Sequence, residues 1–108
     1  MRFIGNRDIA ISVENMDKAI GFYEATLGLE PVKDEQGLRV YDAGDFTLYV
    51  ERGEPHPPVP SFTVPNLADA RRHLVENGCT ILTELGRSLY FRDPTGIVWD
   101  IIEGNPRE

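Results

Sequence analysis

The chain repeats itself. Placing residue n beside residue n+51 sets Ile11-Ser12-Val13 against Phe62-Thr63-Val64 and Asn15-Met16 against Asn66-Leu67. The same offset sets Ala19 against Ala70, Asp42 against Asp93 and Gly53 against Gly104. A repeat at this period means two copies of one supersecondary unit. In a chain of 108 residues neither copy is large enough to bury a good core alone. The two should pack on each other or on another chain.

Each copy reads as β-α-β-β-β. In the first, Ile9, Ile11 and Val13 alternate with Asp8, Ala10 and Ser12, the period of a half-buried strand. Asn15 is suited to cap a helix, and Met16, Ile20, Tyr23 and Leu27 recur at helical spacing. Gly28 ends that helix, and strands follow near 29–33, 38–41 and 46–51. In the second copy Asn66 caps a helix that stops at Gly78, one residue sooner than the repeat requires. The offset there falls to 50, and we expect it to return to 51 in the strands near 79–83, 88–92 and 97–103. Between the copies, four prolines within 53–60 rule out a central strand. The expected organisation is a module at 1–53, a stiff connector at 54–60 and a module at 61–108, together one α+β domain.

The end of the chain carries the sharpest local signal. Asp93-Pro94-Thr95-Gly96 reads as a tight turn that feeds the apolar strand Ile97-Val98-Trp99-Asp100-Ile101-Ile102. One acid, Asp100, sits inside that strand. A carboxylate there must be paired, ligate a metal or face a cavity. Trp99 has the opposite parity and should pack under a helix.

Bulk properties narrow the partners. The net charge of −7 would repel a phosphate backbone, so nucleic acid is not expected. No apolar run approaches the roughly 18 residues of a membrane span, and no signal-peptide pattern opens the chain. The single cysteine, Cys79, excludes an internal disulfide and fits a reducing compartment. A cytoplasmic protein is expected.

The stretches "DIAISVENMDKAIGFYEATLGLEPV", "SFTVPNLADARRHLVENGCTIL" and "LYFRDPTGIVWDIIEG" together resemble the vicinal oxygen chelate superfamily, the glyoxalase / bleomycin-resistance / extradiol-dioxygenase group. The resemblance covers about residues 3 to 104. It implies two βαβββ modules whose curled sheets form a half-open barrel around a cavity, and a homodimer. It also implies a divalent metal held from the first and last strands of each module, by His and Glu. Those places fall on Asp8, Tyr49, Val59 and Asp100. Val59 has no ligand atom, and a tyrosine with a pKa near about 10 is a poor ligand unless ionised. Two carboxylates without imidazole do not make a zinc or nickel site of the His/Glu kind. They would hold at best a weakly bound hard cation with several waters. No resident cofactor is expected.

The remaining lining follows from alternation. Asp8 and Ser12, with Ser61 and Thr63 in the second copy, share the inward parity. Thr47, Tyr49 and Glu51 share a face, as do Val98, Asp100 and Ile102. The repeat lays Arg39 and Tyr41 beside Tyr90 and Arg92, so all four are expected to point inward together. An arginine there would clamp a carboxylate or phosphate two-pronged, or pair with Asp100. The expected ligand site is thus Asp8, Ser12, Arg39, Tyr41, Tyr49, Thr63, Tyr90, Arg92 and Asp100. Two functions remain open: a protein that binds a small organic molecule without the His/Glu metal site, and a divalent-metal-dependent lyase, isomerase or dioxygenase-like enzyme using Asp8 and Asp100. In the second, Tyr49 or Glu51 would move the proton. A scaffold whose own side chains fill the hollow is a third alternative.

Overall fold

The computed structural model describes residues 1–105. The final three residues of the second expected module, 106–108, lie outside the described residues. The element order is β1 (Ile4–Val13), α1 (Met16–Ile20) with a π-helical turn (Gly21–Thr26), β2 (Glu30–Glu35), β3 (Leu38–Asp42), β4 (Thr47–Arg52), β5 (His56–Val64), α2 (Leu67–Glu76), β6 (Thr80–Leu85), β7 (Ser88–Arg92) and β8 (Val98–Glu103). The chain is α+β and contains the βαβββ unit twice. No helix among the described residues is long and apolar enough to cross a membrane.

Two compact units result. The first is Arg7–Pro58; the second is Met1–Asn6 together with the chain from Val59 onward. The opening residues of β1 therefore belong with the second copy, and Arg7, where the units divide, takes a left-handed φ of 65°. That conformation costs a residue with a Cβ roughly 1–2 kcal/mol. β5 begins at His56, inside the proline-rich stretch read as a connector. The prolines fit there because the ladder with β8 starts only at Ser61, beyond Pro60.

Each unit is a four-stranded mixed sheet with a helix on one face. In the first the order is β2-β3-β4-β1, and in the second β6-β7-β8-β5. The first strand runs parallel to the last, β1 to β4 and β5 to β8, and the other pairs are antiparallel. A parallel pair needs a long crossover, and the helix lies within it. Ile11, Tyr41, Leu48 and Val50 pack with Met16 and Ala19 of α1. Val64, Leu89, Phe91 and Ile101 pack with Ala70 and Leu74 of α2, and Trp99 joins this side as its parity requires. Burying each large aliphatic side chain contributes roughly 1.5–3 kcal/mol.

The repeated residues have the same duties in both units. Asn15 Oδ1 accepts from Lys18 N at 3.0 Å, and Asn66 Oδ1 from Asp69 N at 2.9 Å, capping the two helices. Gly53 N donates to Val13 O, and Gly104 N to Val64 O, both at 2.9 Å. A Cβ on Gly53 would stand 3.0 Å from Ser12 Oγ, so that hydroxyl would have to give way by a few tenths of an ångström.

The extra residue of the first helix is absorbed by the π-helical turn. Leu27 N donates to Phe22 O, five residues back, and Leu29 N to Tyr23 O. Gly28 and Gly78 then close the two helices at φ 69° and 90°. A π turn holds one more residue than an α turn over the same rise. Deleting the exposed Ala25 is therefore expected to give a folded protein with a regular α-helical exit to Gly28, its thermal midpoint within a few degrees of the parent. Loss of cooperative unfolding by circular dichroism would contradict this account.

Candidate functional site

With one face of each sheet taken by a helix, polar side chains of opposite parity collect on the other. In the second unit this face carries Ser61 opposite Asp100 and Asp100 opposite Tyr90, with Thr63 opposite Ile102 and Arg92 opposite Val98. Ser61 and Thr63 are buried. Ser61 Oγ donates to Asp100 Oδ2 at 2.8 Å. Asn6 Nδ2 donates to Ser61 Oγ at 2.9 Å and to Thr63 Oγ1 at 3.2 Å. Four polar side chains from three strands thus form one connected set. Arg92 is exposed and donates from Nη1 to Gly96 O at 3.1 Å, which holds its head at the turn before β8.

In the first unit the corresponding face carries Asp8 opposite Thr47, Ala10 opposite Tyr49 and Ser12 opposite Glu51. Val40 of β3 continues the Tyr49 row. Ser12 is buried, while Asp8 and Tyr49 are half-buried. Burial raises the pKa of the Asp8 carboxyl above its ordinary value. Burial also raises that of Tyr49, reinforced by the nearby charge of Asp8, so the phenol keeps its proton.

Arg39 and Tyr41 do not share this face, against expectation. Tyr41 opposes Leu48 and Arg39 opposes Val50, both of which lie on the helix side. The reason is the register of the repeat. The offset stays at 50 through β6 and β7, and returns to 51 only in the connection 93–97, one residue longer than 43–46. Tyr41 therefore corresponds to Phe91 and Arg39 to Leu89, all on helix sides, whereas Tyr90 and Arg92 share the face of Asp100. A slip of one residue in a strand reverses every side chain.

What Arg39 and Tyr41 do instead is pin the π turn. Tyr41, fully buried, donates from Oη to Glu24 Oε2 at 2.8 Å. Arg39 meets Glu24 at 3.8 Å and Asp34 at 3.2 Å. Burial first, and then the Glu24 carboxylate, push the Tyr41 phenol up to about 12.

The sequence reading passed over Asn6 as a site residue. It has the parity of Asp8, so extending the alternation of β1 backwards by one step would have found it. The Asp93 side chain belongs to structure rather than to the site. It accepts from Thr95 N, Thr95 Oγ1, Ile97 N and Trp99 Nε1. The Thr95 hydroxyl leads these donors in holding the carboxyl well below the usual carboxylate range. His73 is exposed on α2, near Phe3. Among the described residues, no three His, Cys, Asp or Glu side chains gather closely enough to hold a metal ion.

The sequence model of the family described as Glyoxalase/Bleomycin resistance protein/Dioxygenase superfamily matches residues 7–101. No curated protein sequence matches the chain. Among solved structures, hypothetical protein BH1468 from Bacillus halodurans C-125 is similar with a TM-score of 0.67 at 14% identity, over 99% of this chain and 96% of that one. Homoprotocatechuate 2,3-dioxygenase from Brevibacterium fuscum, in complex with 3,4-dihydroxyphenylacetate, is similar with a TM-score of 0.73 at 17% identity. That match covers 95% of this chain and only 37% of the dioxygenase. A structure described as NAD-dependent benzaldehyde dehydrogenase from Legionella pneumophila gives 0.70 at 15% identity, over 91% and 98%. At these identities the likeness is one of fold.

The Tyr41 arrangement yields a pH prediction. A tyrosine whose folded pKa lies above its unfolded value stabilises the fold fully below about pH 10 and loses that contribution as pH rises through about 12. Tyr41→Phe is expected to lower stability near neutral pH by about 1 kcal/mol. It should also flatten the fall in stability between those two values, measured by urea unfolding across the range. An unchanged alkaline fall in the variant would remove Tyr41 as its source.

Proposed function

The chain belongs to the glyoxalase/bleomycin resistance protein/dioxygenase superfamily, and we propose that it binds a small organic molecule on the faces of its sheets turned away from the helices, without a resident transition metal. Asp8 is the observation that carries this reading. Burial works against its charge, yet an acid is kept on that face. A group that burdens the fold is retained for what it meets. Each face is assigned by itself: Asp8, Thr47 and Tyr49 are the residues we assign to ligand binding on the first unit's face, and Ser61, Thr63, Tyr90 and Asp100 those on the second unit's face.

Their chemistry selects the ligand class. Arg39 is turned to the helix side, and Arg92 is held at a turn. Lys33, which extends the Tyr49 row through Val40, is paired with Glu35 at 3.1 Å. The other polar groups of the faces, Arg92 apart, are chiefly carboxylates, hydroxyls and phenols, which favour a neutral or cationic molecule bearing hydrogen-bond donors over a carboxylate or phosphate. The donor set also fits poorly with the divalent ion that the family implies. Val59 supplies no ligand atom, and the Tyr49 phenol is kept protonated. Our reading includes a cytoplasmic homodimer: Phe22, Leu27, Val32 and Leu85 are exposed apolar side chains that a second copy would cover.

A second reading rests on the same acid. Burial raises the Asp8 pKa above its ordinary value, the direction in which a carboxyl becomes a better proton carrier, as a divalent-metal-dependent lyase, isomerase or dioxygenase-like enzyme using Asp8 and Asp100 would need.

Calorimetry with 4-methoxyphenol, a neutral donor, and with 4-methoxybenzoate, an anion on the same methoxyphenyl ring, tests the first reading. The phenol is expected to bind and the benzoate to bind at least tenfold more weakly. Burial holds the folded pKa of Asp8 above its unfolded value. Its neutral form therefore supports the fold at low pH, and that support is lost as pH rises through the folded value. Asp8→Asn should accordingly keep or raise the thermal midpoint at neutral pH while weakening the phenol about tenfold. A transition metal bound stoichiometrically to purified protein, and lost in Asp100→Ala, would overturn the binder in favour of the enzyme.

A further inference from the structure

We infer that Asn6 and Ser61 form a one-way hydrogen-bond relay that positions the Asp100 carboxylate as an acceptor on the ligand face. The inference rests on the reading that this face meets the ligand, and it adds two positioning residues to it. The direction follows from counting protons. Ser61 has one hydroxyl proton, and an ionised carboxylate has none to give. The 2.8 Å contact to Asp100 Oδ2 therefore takes the Ser61 proton. Ser61 Oγ is left as an acceptor, so the Asn6 amide must present its NH₂ group at 2.9 Å. The second proton of that group goes to Thr63 Oγ1 at 3.2 Å, which helps to fix the amide plane. With the amide oxygen turned towards Ser61 instead, the serine proton would have two acceptors competing for it.

The relay is peculiar to one copy. By the 51-residue offset, Ser61 corresponds to Ala10, Asp100 to Tyr49 and Asn6 to Pro57. Ala10 opposes Tyr49 in β1 and β4 as Ser61 opposes Asp100 in β5 and β8. A relay needed to hold the sheet together would be expected in both. It occurs where the last strand carries an acid, and the hydroxyl and amide are absent where that strand carries a phenol. The placement of Asn6 is also specific. It precedes Arg7, whose left-handed backbone marks the point where β1 passes from one unit to the other.

The test reads Asp100 itself, in ligand-free protein. The carboxyl carbon of Asp100 is followed by NMR through an acid titration in the parent, Ser61→Ala, Ser61→Thr and Asn6→Ala. Removing the Ser61 donor is expected to raise the titration midpoint by half a pH unit or more. Asn6→Ala should raise it by less, because the hydroxyl remains but is free to turn. Ser61→Thr should restore the parent value. A midpoint that stays put in both alanine variants, with the protein still folded by its amide spectrum, overturns the relay. If the midpoints move as expected while 4-methoxyphenol fails to bind the parent, the relay stands and the proposed ligand class falls. The two failures are thus separable.

Discussion

The two-residue period of the strands decides which side chains share a face. Each sheet commits one face to a helix, and the apolar side chains that seal it leave the opposite parity free for polar groups. The rule is strict because the helix-side faces are well packed: Tyr41, Val50, Val64, Leu89 and Ile101 are almost wholly excluded from water. A carboxylate or guanidinium has no place among them without partners. Asp8 and Asp100 are therefore set on the other face, and Arg39 reaches the helix side only because Glu24 and Asp34 meet it there.

Duplication then supplies a scaffold that can diverge face by face. The capping asparagines, the closing glycines and the helix–sheet contacts keep the same duties in both units, since both must solve the same packing problem. The opposite faces share no such constraint. One has an acid buttressed by a serine and an asparagine, and the other a phenol beside an alanine, with its acid at the start of the strand pair.

The fold was largely legible because its signals are local and repeated. The alternation of Asp8 to Val13, the caps at Asn15 and Asn66 and the stops at Gly28 and Gly78 each carry their own physical reason, and each was seen twice. The placement of Asp100 away from the helix and of Trp99 toward it followed from parity alone. Arg39 and Tyr41 were misplaced because the one-residue shortening at the second helix was assumed to be repaired at once. It persists through two strands until the turn around Pro94, and no side chain in 80–92 announces that. Partnership was the other thing hidden. Which donor meets Asp100 depends on strand order, and the sequence separates Asn6, Ser61 and Asp100 widely.

On the proposed function, the helix-free faces, and not the arginine–tyrosine cluster beneath the first helix, meet the ligand. Chemical-shift mapping of isotopically labelled protein titrated with 4-methoxyphenol tests it most directly. Saturable shifts are expected at Asp8 and Tyr49 or at Ser61, Tyr90 and Asp100, with Glu24, Arg39 and Tyr41 unmoved. Shifts centred on Glu24, Arg39 and Tyr41 would contradict it.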